Sequence, residues 1–539
     1  MEMDRKFSQP PVVPNQTHFA AAPSAQVNRS TFDRSSALKT TFDSGVLVPI
    51  FLDEVLPGDT FDMSSTMFCR LATPLKPFMD NVYIDVHYWF VPNRLVWDNW
   101  QKFMGEQEDP NEDITTLTIP TTSIDNSAWL PNSIADYFGL PQTPQTAPYD
   151  VSALPFRAYV LIYNEWYRDE NLINSVGNFK DDGPDVGWNT AQCLRRGKRK
   201  DYFTSALPFA QKGDPVTIPL GNQAPVHGLG SPQAANWLAG PITVNQGEGV
   251  QATYQSFTTS DIAPAPGGLY IEEDPANPGF PNLYADLSNA TATTVNDLRT
   301  AFQIQKLLER DARGGTRYIE LILSHFGVRS DDARLQRPEF LGGGTTRVNI
   351  NPVASTFTNA EVPQGQLAGY GTSINKAGFS KSFTEHGQII GLASVRADLT
   401  YQQGADRHWF RQTRYDYYWP SLAHLGEQAV LNREIYTTGG PEDTNVFGYQ
   451  ERNAEYRFKP SKITGKFSSE NAASLDVWHL SQDFAALPVL DASFINESPP
   501  ISRVVAVPDE PEFLCDAWFS LKTTRPMPTY AIPGFIDHF

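Results

Sequence analysis

Residues 60–104 read TFDMSSTMFCRLATPLKPFMDNVYIDVHYWFVPNRLVWDNWQKFM, and their spacing decides the fold class. Phe61, Met63, Met67, Cys69 and Leu71 are apolar, while their neighbours Asp62, Ser64, Thr66 and Arg70 are polar. A period of two is what a strand shows when it buries one face. Val82, Ile84, Val86, Tyr88 and Phe90 repeat it, opposite Asp85, His87 and Trp89. Pro74 and Pro77 separate the two runs, where a missing N–H would break a ladder. After Pro92 the spacing turns helical, with Val96, Trp97, Trp100, Phe103 and Met104 on one face. The stretch predicts an antiparallel β framework with a short helix behind it. On its parity His87 is expected at the solvent side.

Outward from this stretch the chain alternates short strands with long loops. Residues 1–28 carry no periodic pattern and read as an extended arm. Residues 46–56 look like a strand that Pro49 confines to an edge or a bulge. Six prolines then break residues 105–150 into irregular segments. Phe156, Tyr159, Val160, Tyr163, Trp166 and Tyr167 form a helical stripe suited to core packing, with Arg157, Asn164 and Glu165 off it. Two further helices are expected in 296–327, separated at Gly314–Gly315. Ile319, Ile322, Leu323 and Phe326 mark the face of the second. Between these helical regions, residues 213–298 contain no lysine or arginine and are crowded with Pro, Gly, Asn, Ala and Thr. So long a stretch reads as a small β-rich insertion rather than a plain loop. Residues 389–400 have strand texture, and the proline-rich 526–533 suits a tail lying along another surface.

Composition narrows the function. The 539 residues hold 42 Pro and 37 Gly, and charged residues are 19%, below the usual quarter of a soluble domain. That balance suits turns, long loops and surface destined for burial against other subunits. Net charge is −19, so phosphate binding is no default property of the chain. Cys69, Cys193 and Cys515 are distant and odd in number, which supports neither a zinc ribbon nor a disulfide scaffold and fits a reducing cytoplasm. Cys69 is expected as a small core residue. No basic leader with an apolar run and no membrane-length apolar stretch is present, so a soluble, cytoplasmically made protein is expected.

Catalytic patterns are missing: no Walker A loop, GxSxG elbow, HExxH pair or dinucleotide fingerprint occurs. The triplet Gly342–Gly344 is expected in a loop, with no helix behind it to cradle phosphate. Adjacent acids such as Asp53–Glu54 and Asp181–Asp182 would diverge on a strand, so no catalytic residue is assigned. Two clusters remain. Arg195, Arg196, Lys198, Arg199 and Lys200, followed by Tyr202 and Phe203, combine cations with rings and suit single-stranded DNA. A loop or interface salt-bridge set is the alternative. Arg407, Trp409, Arg411, Arg414, Tyr417 and Tyr418 have the Arg-and-aromatic make-up of subunit interfaces. No cofactor is expected; metal sites, structural divalent cations included, are left open.

The wording of several blocks goes further. RSTFDRSSALKTTFDSGVLVPIFLDEVLPGDTF (29–61) and RLATPLKPFMDNVYIDVHYWFVPNRLVWDNW (70–100) resemble the major capsid proteins of microviruses, gokushoviruses above all. So do RRGKRKDYFTSALPFAQKG (195–213), RYIELILSHFGV (317–328), RLQRPEFLGGG (334–344), EHGQIIGLASVRADLTYQQG (385–404) and FGYQERNAEYRFKPSKITGKF (447–467). The resemblance implies a mainly β fold, an eight-stranded antiparallel viral jelly roll whose two packed sheets of four strands carry long, helix-containing loops. It divides the chain into an arm (1–28), a first part of the capsid domain (29–212), an insertion forming a surface protrusion (213–297) and the remaining domain with its tail (298–539). It implies pentamers and a sixty-copy T=1 shell, assembled in the bacterial cytoplasm around circular single-stranded DNA, with the insertion meeting a host receptor. Sixty chains would sum to a formal charge of about −1,140, so a small basic packaging protein is implied, alongside scaffolding and pilot proteins. A non-viral carbohydrate-binding or carbohydrate-active jelly roll is the rival. It would explain the aromatic content but lacks a leader and converging carboxylates.

Overall fold

The computed structural model describes residues 27–530, except most of 108–115, 215–294 and 315–335, the short stretches 126–129, 142–147 and 360–362, and positions 178 and 189. Ten sandwich strands are numbered in chain order: β1 (Ser30–Asp33), β2 (Ser36–Phe42), β3 (Val48–Val55), β4 (Thr60–Leu71), β5 (Val82–Pro92), β6 (Glu339–Arg347), β7 (Asn349–Ala354), β8 (Leu367–Ser382), β9 (Gly387–Ala397) and β10 (Phe513–Arg525). One sheet runs β2–β10–β4–β8, with β7 added beyond β8 and β1 continuing the β2 edge along Lys522–Arg525 of β10. The other runs β6–β5–β9–β3, and every pairing is antiparallel. Leaving β1 and β7 aside, the eight principal strands take chain order 1-8-3-6 and 2-7-4-5, the double Greek key of a jelly roll. The expected sheets of four are thus four strands in one sheet and six in the other.

Alternation builds the core as anticipated. Phe61, Met63, Met67, Phe513 and Phe519 from one sheet meet Val86, Tyr88, Ile389 and Val395 from the other. Cys69 and Cys515 stand opposite one another on β4 and β10, both buried, and are joined as a disulfide. This corrects the reading of three unpaired cysteines: residues 446 positions apart in sequence become cross-strand neighbours only through the topology. Cys193 is free and buried. Pro49 does lie on an edge strand, where Ile50 is the extra residue of a bulge against β9. The glycine triplet belongs to β6 and not to a loop. A Cβ at Gly342 would run into the Gly378 carbonyl of β8, so its absence lets the two sheets close at this end. Asn375 fastens that closure by donating to the carbonyls of Ile84 (3.2 Å) and Gly344 (3.1 Å).

A second layer covers the outer face of the four-stranded sheet. Trp89, Val91, Ile390 and Leu392 pack against Trp97 and the helix α1 (Leu154–Trp166), whose Phe156, Tyr159, Val160 and Tyr163 are buried as predicted. β9 is consequently buried along its whole length. His87 faces this layer rather than solvent, sharing a 2.8 Å hydrogen bond with the Tyr167 hydroxyl beside Trp89 and Phe340. Burial pushes its imidazole below the ordinary range, against the opposing pull of Asp85. Arg157, off the apolar stripe, is also buried and forks onto Asp185 at 2.6 and 3.0 Å.

The chain divides into two compact units, 1–208 with 330–539, and 209–329. Within the second, the helix α2 (Val295–Arg313) carries Asp297 in its first turn and Arg310 and Arg313 in its last, matching the helix dipole. Two short antiparallel ladders pair Val226–His227 with Tyr284–Ala285 and Leu229–Gly230 with Tyr270–Ile271. The rest of the expected insertion, and Ile319, Ile322 and Phe326 of the expected second helix, lie outside the described residues.

Candidate assembly interface

The loops between β9 and β10 fold on a third apolar cluster. Tyr202, Phe203, Tyr401, Val430, Ile435, Phe447 and Phe494 form it, around the hairpin of Glu427–Leu431 with Val446–Glu451. Tyr202 and Phe203 are 4% and 3% exposed, which removes them from any role in stacking bases. The Tyr202 hydroxyl instead donates to Glu434 at 2.8 Å.

The basic run before them is largely spent inside the chain. Arg196 donates to Asp85 at 2.7 Å and to the Ser394 hydroxyl at 2.8 Å. Arg396 reaches the same Asp85 oxygen at 2.9 Å, and Thr345 donates to the other at 2.7 Å. Burial opposes the charge of Asp85, yet Thr345 and the two guanidiniums together hold its carboxyl below the usual range. Lys198 is buried over the Phe494 ring at 4.6 Å, near Glu497, and burial lowers its ammonium. Arg195 bonds the carbonyls of Ser44 and Glu497, both at 3.2 Å, and Lys200 pairs with Asp169. Arg199 is exposed and has no ion pair among the described residues. Within the chain, four of the five cations of the run therefore act as fasteners, two of them through carboxylates.

The second cluster behaves differently. Its arginines are anchored while its rings point outward. Arg407 donates to Glu434 (2.9 Å) and to the Ala429 carbonyl (2.7 Å). Arg411 pairs with Glu455 at 3.0 Å and lies against the rings of Tyr417 and Tyr456. Arg414 bonds the Tyr415 hydroxyl at 2.8 Å. Asp416 ties the loop by accepting from the backbone N–H of Gln412 and Thr413. Trp409 is nonetheless 71% exposed, and Tyr415, Tyr417, Tyr418 and Trp419 are each about half exposed. Beside this belt opens a cavity of about 250 Å³, lined by Tyr456, Phe458, Lys459 and Lys462 among others. Contiguous exposed rings held by fixed arginines have the make-up of a protein interface.

The sequence reading passed over Asp85, Arg396, Glu434 and Glu455. Each is a polar residue beside apolar ones, a signal that cannot separate a buried partner from a surface charge. Among the described residues no group of His, Cys, Asp and Glu side chains is placed to hold a metal ion, and no helix is long and apolar enough to cross a membrane.

A jelly roll with an unburied aromatic belt defines a protein built to associate. The family described as capsid protein (F protein) matches residues 20–535. The chain is 48% identical to capsid protein VP1 of Bdellovibrio phage phiMH2K, over 97% of this chain and 99% of that protein. Identity to capsid protein VP1 of Chlamydia phage 1 is 43%, over 97% and 98%, and to that of Spiroplasma virus 4 it is 36%, over 92% and 93%. The chain belongs to this capsid protein family, in the gokushovirus-like branch of the microviruses. Its role is structural rather than enzymatic, as a subunit of the virion capsid, which sets aside the carbohydrate-active alternative.

Proposed function

We propose that sixty copies close a T=1 icosahedral shell around a circular single-stranded DNA genome, in the bacterial cytoplasm, by way of pentamers. The observation that carries this reading is the exposed belt at 409–419 on a chain that aligns with its relatives almost end to end. Large rings in a central patch supply most of an interface's energy, at about 2 kcal/mol or more each, and many weak contacts sum in a closed shell. Arg407, Trp409, Arg411, Arg414, Tyr417 and Tyr418 form that contact in this reading. Residues 213–297 would form the protrusion at the three-fold axes and meet the host receptor. A small basic packaging protein would offset the −19 charge of each chain, with scaffolding and pilot proteins as further partners.

Sedimentation with electron microscopy tests assembly directly. Wild-type protein from producing cells should yield round closed shells or five-chain rings. Trp409→Ala with Tyr418→Ala should yield folded, unassembled protein. A wild-type chain that stays monomeric in every fraction would refute the reading. Deleting residues 213–297 should leave shells intact while infectivity falls; undiminished infectivity would remove the attachment role.

A further inference from the structure

The two sandwich faces are not alike. The four-stranded sheet is covered by α1 and its loops, while among the described residues nothing packs over the outer face of the six-stranded sheet. That face carries large apolar side chains at positions where alternation calls for polar ones: Phe68 is 44% exposed, Ile374 57%, Leu514 51% and Trp518 53%. The register makes them one patch. Phe68 pairs with Ile374 across β4 and β8, and Leu514 and Trp518 lie diagonally from it on β10, on either side of Asp516, which stands opposite Phe68 and is bridged to Lys39 at 3.5 Å. Arg70 pairs with Leu514 and Lys376 with Thr66, so two cations stand inside the same patch. Both are exposed, and neither has an ion pair among the described residues. In a chain of net charge −19, two cations without an ion pair among the described residues, interleaved with exposed rings, suit an anionic partner.

We infer that this face, Phe68, Arg70, Ile374, Lys376, Leu514 and Trp518, is a platform for single-stranded DNA. The inference rests on the genome reading above and replaces the basic run at 195–203 as the chain's contact with it. A flat antiparallel sheet spaces neighbouring strands by about 4.8 Å and alternate residues by about 6.7 Å, which lets successive unpaired bases lie on rings while phosphates reach the cations between them. Bases stack on any aromatic face, so the contact is indifferent to sequence, as packaging an entire genome requires.

Ultraviolet cross-linking of intact particles, with peptide mapping, tests the site. Nucleotide adducts should fall on the peptides holding Phe68 and Trp518. For protein dissociated from particles, Trp518→Ser should weaken binding of a labelled twenty-nucleotide oligo(dT) about fivefold or more without changing its salt dependence. Arg70→Gln with Lys376→Gln should flatten the slope of log affinity against log salt by about 1.4. All of these positions are exposed, and unchanged thermal melting will show that the variants fold. DNA-containing particles whose adducts map elsewhere would overturn the inference and leave the genome reading standing. Equal affinity for a blunt duplex, or a changed oligomeric state of Trp518→Ser without DNA, would overturn it as well. Particles that hold no nuclease-resistant DNA would overturn the genome reading itself.

Discussion

Asp85→Asn isolates the bond that joins the basic run to the sandwich. Asp85 accepts three short hydrogen bonds, from Arg196 (2.7 Å), Arg396 (2.9 Å) and Thr345 (2.7 Å). Its side chain is 4% exposed and that of Arg396 is 2%. An asparagine keeps the shape but offers one carbonyl oxygen, and its amide would point donors at a guanidinium. Arg396 would then stay buried with its charge uncompensated, a change that costs about 3–5 kcal/mol. Against a total stability of about 5–15 kcal/mol, that is about a fifth or more. With a urea slope of about 3 kcal/mol per molar, the unfolding midpoint of dissociated protein should fall by about 1–1.7 M. Tryptophan fluorescence would follow it. The depressed carboxyl of Asp85 also sets the pH dependence. Its contribution is complete above the unfolded carboxylate value and lost as pH falls through the folded one, so wild type and variant should converge in acid. A midpoint shift below about 0.2 M at neutral pH would refute the claim that this charge cluster holds the run in place.

Other positions give independent checks. Gly45 has φ +77° and a Cβ there would collide with the Glu497 carbonyl, so Gly45→Ala should cost more than the 1–2 kcal/mol of left-handed strain, read as a lower melting temperature; a neutral effect would contradict the packing. Alkylation of denatured, unreduced protein should label Cys193 alone, and labelling of all three cysteines would show Cys69 and Cys515 standing as free thiols. Arg411→Leu would leave Glu455 without its guanidinium, loosening residues 409–419: proteolysis there should quicken and shell yield fall while the sandwich melts unchanged. Arg411→Lys should recover only part of this, because an ammonium lacks the planar face that lies against Tyr417 and Tyr456.

Strand alternation made much of the sandwich legible. Phe61 to Leu71 and Val82 to Phe90 bury the parity their spacing predicts, and Pro49 marks its bulge. What alternation cannot say is whether the second face is also covered. The polar parity of β5 looked solvated, yet α1 and its loops lie over it, so Asp85 and His87 became interior groups. Pairing across long separations was equally hidden: Cys69 meets Cys515, and Arg396 meets Asp85, only because the Greek key brings distant strands side by side. The free face was legible in principle. FLCDAWFSL (513–521) alternates, and Leu514 and Trp518 break its polar parity, a signal overlooked because the strand itself was not assigned.

The fate of the arginines explains why the two expected binding clusters diverged. A shell subunit must hold long loops rigid enough to meet neighbours in a fixed geometry, since loose loops would lose ordering entropy at each contact. Much of this chain's length is loop, and apolar packing alone does not fix it. Arg157, Arg196, Arg396, Arg407 and Arg411 each bond a carboxylate buried in or under a loop. A guanidinium does this well because its planar fork reaches several acceptors at once. The same use consumes the charge that phosphate would need. A run of cations in an acidic, loop-rich protein is therefore weaker evidence for nucleic acid than its composition suggests. The informative cations are those that the fold leaves unpaired beside exposed rings, and among the strands of this sandwich Arg70 and Lys376 meet that description.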